Sequence, residues 1–83
     1  LHSFPTRRSS DLVEITLPDN TPWGGKPVRK LQLSRDAALV TIRRGPRVIV
    51  READEPLEGG DELLFVAVTE AEEELSRLLL PSM

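Results

Sequence analysis

From residue 63 to residue 68 the chain reads Leu-Leu-Phe-Val-Ala-Val, so neither face of an extended segment there is polar. The run follows the turn formers Gly59, Gly60 and Asp61. This pattern predicts a central strand covered on both faces. Residues 13–17 instead alternate apolar and polar with period two and stop at Pro18-Asp19-Asn20, which predicts a half-buried strand and a turn. Residues 38–42 are rich in branched side chains and residues 47–50 resume that character after Gly45-Pro46. Together they predict a hairpin, with Gly45 supplying the backbone freedom of its turn. Residues 27–31 fit a single helical turn opened by Pro27, with Val28 and Leu31 facing inward. Thr69 is expected to cap a final helix, with Glu72 completing a capping box. Ala71, Leu75, Leu78 and Leu79 then form one apolar stripe before Pro81. Trp23, in an irregular loop, is expected to anchor that loop to the core.

Residues 1–12, LHSFPTRRSSDL, have no apolar period and no signal-peptide core. They resemble the translated frame of a common sequencing adapter, and the expectation is an artefactual or disordered tail outside a domain spanning residues 13–83. That domain is expected to be the C-terminal part of a longer protein. The single histidine, His2, lies in the tail. Setting aside Arg7, Arg8 and Asp11 reduces 11 basic and 14 acidic residues to nine and thirteen, a net charge of −4. An acidic domain argues against a nucleic-acid surface, because phosphate-backbone affinity needs a basic face. The small size predicts a marginal core and a partner surface. Absence of Cys excludes disulfides and thiolate sites, and no apolar run approaches the ~20 residues of a membrane-spanning helix.

Candidate chemistry is sparse. Outside the first twelve residues there is no His or Cys, and no Ser sits in a nucleophile elbow, so no catalytic residue is assigned. Asp54, Glu55, Glu58 and Asp61 cluster near one turn, but their spacing matches no calcium loop, and no metal site is assigned. The competing reading makes Gly59, Gly60 and Asp61 the turn itself, with the Asp carboxylate bonding local amides. Gly24-Gly25-Lys26 lacks the remainder of a phosphate loop, since Pro27 follows. Arg43, Arg44, Arg47 and Arg51 concentrate positive charge on the hairpin, either to receive an anionic ligand or as a solvated edge that resists strand pairing.

Three stretches in series resemble the C-terminal regulatory domain of potassium-uptake and potassium-channel regulators, the family called TrkA-C or RCK-C. They are Gly25-Lys26-Pro27-Val28-Arg29-Lys30-Leu31-Gln32-Leu33, the hairpin Ile42-Arg43-Arg44-Gly45-Pro46-Arg47-Val48-Ile49, and Asp54-Glu55-Pro56-Leu57-Glu58-Gly59-Gly60-Asp61-Glu62-Leu63-Leu64-Phe65. Gly25, Gly45, Gly60 and Asp61 are the structural positions of these motifs. Two positions depart from the pattern: Pro46 stands where a Gly or polar residue is usual, and Arg51 where Pro is usual.

The resemblance implies an α+β fold, a pseudo-barrel of about four β-strands with a short helical turn and a capping C-terminal helix. It implies no enzymatic activity. It implies a cytoplasmic regulatory and ligand-sensing domain of a potassium uptake system, peripheral to the inner face of the membrane. The expected partners are a second copy of the domain and a membrane potassium-transport subunit, with no nucleic acid. NAD or ATP/ADP is expected on a preceding dinucleotide-fold domain, with cyclic di-AMP or cations as possible ligands between paired C-terminal domains. An anionic ligand is expected near Arg44 and Arg47. Alternatives within the likeness are the tail of a cation/proton antiporter and a purely structural dimerisation module. A swapped-hairpin DNA-binding regulator is the rival class, but the nine residues separating Arg51 from Asp61 are too few for its intervening helix, and the charge has the wrong sign for DNA.

Overall fold

The computed structural model describes residues 6–9, 11–33 and 35–80 of the 83-residue chain. Five antiparallel strands form one sheet: β1 (Thr6–Ser9), β2 (Leu12–Thr16), β3 (Ala37–Arg44), β4 (Arg47–Val50) and β5 (Glu62–Ala67). Their spatial order is β1-β2-β5-β3-β4. The apolar run after the Gly-Gly-Asp turn is therefore the central strand, paired with β2 through Val13↔Phe65 and with β3 through Leu39↔Phe65. One helix, α1 (Thr69–Leu79), follows, and 3-10 turns occupy Val28–Lys30 and Arg51–Ala53. The architecture is α+β, with the four strands expected from the sequence and a fifth at one edge.

One face of the sheet carries the core. Val13, Ile15, Leu63, Phe65, Leu39, Ile42 and Ile49 project to it and are all buried. The α1 stripe meets them, with Ala71, Leu75 and Leu79 buried and Leu78 packed alongside. Trp23 anchors its loop as expected: the ring packs on the core, and its indole Nε1 donates to the Leu78 carbonyl at 3.0 Å.

Two expectations need correction. The central strand is covered on one face only: Val66 and Val68 are 45% and 44% exposed, and Leu64 is half-buried. Its second apolar face belongs to an open surface shared with exposed Leu12, Val40, Val48 and Val50. Thr69 is the first residue of the helix and not its cap. Val68 holds the cap position with φ −72° and ψ 160°, and its own side chain makes no capping hydrogen bond. The reason is the sheet, which keeps the chain extended through Val68, whose N–H donates to the Asp36 carbonyl at 3.1 Å. Upstream of residue 12, Thr6–Ser9 pairs with β2 at Thr6↔Ile15 through Ser9↔Leu12. An edge strand is held by backbone bonds, so a polar sequence suffices. Leu12 is also the first residue of β2, and the Asp11 carbonyl accepts the Ala67 N–H at 2.8 Å. His2 lies outside the described residues.

Candidate functional site

The basic hairpin and the acidic turn, read separately in the sequence, meet in space. β3 and β4 join through Gly45-Pro46, with Gly45 at φ 59° as the two-residue turn requires. The register sets Arg44 opposite Arg47. Residues 58–61 form a second turn in which the Asp61 N–H donates to the Glu58 carbonyl at 3.2 Å. Gly60 takes φ 87° there. The Asp61 carboxylate is fully buried and accepts the Glu58 N–H at 2.9 Å through Oδ2, the local bond expected of it.

Asp61 also holds Arg44. The guanidinium donates through Nε to Oδ1 at 2.8 Å and through Nη2 to Oδ2 at 2.9 Å, a bidentate pair. Nη2 further donates to the Pro56 carbonyl at 2.9 Å. Nη1 lies 3.3 Å from Glu58 Oε2 and 3.6 Å from Glu55 Oε1. The Asp61 hydrogen bond raises the Arg44 pKa above its ordinary value, opposed by partial burial, so the guanidinium stays charged throughout the physiological range. Arg47 approaches Glu55 Oε2 at 3.4 Å and remains largely exposed.

Of the two arginines expected near an anionic ligand, the structure thus gives Arg44 a full set of internal acceptors and Arg47 one long contact. The acidic cluster is divided the same way: Asp61, Glu58 and Glu55 face Arg44, while Asp54 pairs with Arg29. Among the described residues, no group of three or more His, Cys, Asp or Glu side chains could hold a metal ion.

Sequence reasoning missed the role of Asp54. It is the described non-glycine residue with positive φ, at 53°, a conformation Asp tolerates better than most residues. Oδ1 accepts the Arg29 N–H at 3.1 Å, and Oδ2 takes the Arg29 guanidinium. The neighbouring backbone is joined as well: the Gly25 N–H donates to the Leu57 carbonyl at 2.7 Å and the Leu57 N–H to the Lys26 carbonyl at 2.8 Å. The first and third motifs are therefore stitched together. The signal in the sequence was the opposite charge of residues 29–30 and 54–55, which no local period reveals. Beside this seam a cleft of about 470 Å³ opens, lined by Val28, Leu31, Leu39, Arg29, Glu52 and Asp54. Neither Arg44 nor Arg47 lines it.

The chain is 93% identical over 74 residues to proteins named Trk system potassium uptake protein TrkA from two Mycobacterium tuberculosis strains, CDC 1551 / Oshkosh and H37Rv. The matched segment covers 89% of this chain and 34% of each relative, so the chain spans about a third of the length of those curated relatives. The TrkA-C domain family matches residues 12–80, which run from the first residue of β2 to the C-cap of α1 and take in the stitched motifs and the Arg44–Asp61 clasp. The chain belongs to the TrkA-C domain family.

Proposed function

We propose that this domain is the C-terminal regulatory module of a TrkA-type potassium uptake protein, sensing a ligand and pairing with a second copy while its longer chain acts on a membrane potassium-transport subunit. The observation that carries the reading is 93% identity over 74 residues to relatives whose names give potassium uptake. That identity favours an uptake regulator over an antiporter tail. The module works by binding and pairing, without catalysis. Among the described residues no helix is long and apolar enough to cross a membrane, which fits a component held at the inner, cytoplasmic face by its transporter. NAD or ATP/ADP would bind the preceding domain of the longer protein, and cyclic di-AMP is a ligand to test on this one.

Pairing is supported by the open face of the sheet. The cross-strand rows place Leu12, Val66 and Ala38 together, then Glu14, Leu64, Thr41 and Val50, then Thr16, Glu62, Arg43 and Val48. Six of these eleven positions are apolar, the first row wholly so, and the polar ones fall in the second and third rows. Contiguous exposed apolar surface of this kind marks an interaction site. The Arg44–Asp61 clasp holds β3, β4 and the turn before β5 in fixed relation, and so keeps this face in one shape.

The test is a replacement: residues 12–80 of this chain are put in place of the matching segment of full-length TrkA from M. tuberculosis, and potassium uptake is measured in cells lacking their own copy. Restored uptake is the expected result. A hybrid that accumulates normally but gives no uptake would overturn the reading.

A further inference from the structure

β2 is an unguarded edge once the family domain is taken alone. Its sequence, Leu-Val-Glu-Ile-Thr, has no proline and one charge. Val13 and Ile15 are fully buried on the core side, so the strand is held flat and extended by β5 and offers its other edge as a row of backbone donors and acceptors. The opposite edge of the sheet differs: β4 follows Pro46, opens with Arg47 and has four residues, the features that discourage further pairing. Here the β2 edge is filled by Thr6–Ser9, which precedes the family domain at 12–80 and whose sequence, Thr-Arg-Arg-Ser, brings no apolar side chain. Its register sets Arg7 opposite Glu14, a basic position against an acidic one on a domain whose net charge is −4. Thr6 Oγ1 also lies 3.5 Å from Ser76 Oγ on α1.

We infer that the outer edge of β2 is a strand-addition site, filled in the longer protein by an extended, neutral or basic segment of the same polypeptide directly upstream of the domain. The inference rests on reading the domain as the C-terminal module of a longer chain. Recognition is by main-chain bonds, with the acidic character of the domain selecting against an acidic segment. Such a seam would fix the direction from which the upstream part approaches, because an antiparallel strand at β2 must turn back just before Leu12, as the register Ser9↔Leu12 requires.

The experiment uses the 83-residue chain with Arg7→Pro and Arg8→Pro together, since proline cannot donate to a ladder. Amide hydrogen exchange is followed residue by residue, without and then with an added peptide of residues 1–10. The expected result is at least tenfold faster exchange at the outward-facing amides of Leu12–Thr16, unchanged protection in Glu62–Ala67, and recovery of protection when the peptide is added. Unchanged exchange in β2 would overturn the inference, as would loss of protection throughout the sheet, because β1 would then be integral to the fold. Protection of β2 that rises with protein concentration and not with peptide would also overturn it, by naming a second copy as the occupant. Because exchange is read on this chain alone, its outcome is distinguishable from a failed potassium-uptake replacement.

Discussion

At the scale of single residues, Asp61 does the most. It is a buried carboxylate whose two oxygens serve a guanidinium and a backbone N–H at once. Removing one partner of such a pair strands the other, and the cost exceeds what the pair contributes in place of apolar groups. Asp61→Ala should therefore destabilise the fold by about 3 kcal/mol in denaturant titration. Arg44→Ala in that background should add little, because Arg44 has then already lost its bidentate acceptor. Full additivity of the two would disprove the clasp. The neighbouring glycines separate two causes of intolerance. Gly60 has φ 87° and nothing within 4 Å of an added Cβ, so Gly60→Ala should cost only the backbone strain, about 1 kcal/mol. At Gly59 a Cβ would lie 2.7 Å from the Asp19 carbonyl oxygen, and Gly59→Ala should be the more destabilising of the two by thermal melting. Equal effects would mean that the turn shifts freely away from residue 19.

At the scale of elements, β5 is the strand to which the others are referred. Phe65 is fully buried and pairs across to both Val13 and Leu39. Phe65→Ala should cost about 3–5 kcal/mol, whereas Val66→Ala, on the open face, should cost under ~1 kcal/mol in the isolated domain. Comparable losses at both positions, measured by equilibrium unfolding, would mean that the second face is covered after all. The helix gains its hold on the sheet from its apolar stripe and from Trp23, which bonds the carbonyl of Leu78 near its C-terminal end. Most helical stability in proteins comes from such packing, which is why α1 forms with an apolar residue, Val68, at its cap position.

At the scale of the whole molecule, the open sheet face is the feature an isolated domain does not explain. Val48 and Val50 are 69% and 54% exposed at its rim, where substitution leaves the core untouched. Val48→Ser with Val50→Ser should weaken self-association at least tenfold in concentration-dependent light scattering while changing the melting temperature of the monomer little. Unchanged association would move the pairing surface elsewhere.

The period-two alternation of residues 13–17, the apolar run from Leu63 and the stripe from Ala71 to Leu79 were legible in the sequence because each is a local pattern with its own period. They determined β2, β5 and α1, while the likeness to the TrkA-C domain was carried by the three motif stretches at residues 25–33, 42–49 and 54–65. What only the tertiary structure decided is which surfaces and charges meet. A doubly apolar strand reads the same whether its second face is buried by its own chain or left open. Arg44 carries no mark in the sequence that separates a ligand contact from a clasp on Asp61, seventeen positions away. Thr6–Ser9 has no strand pattern at all, because an edge strand is chosen by the backbone it lies against. These outcomes depend on contacts between distant positions, and no local period records them.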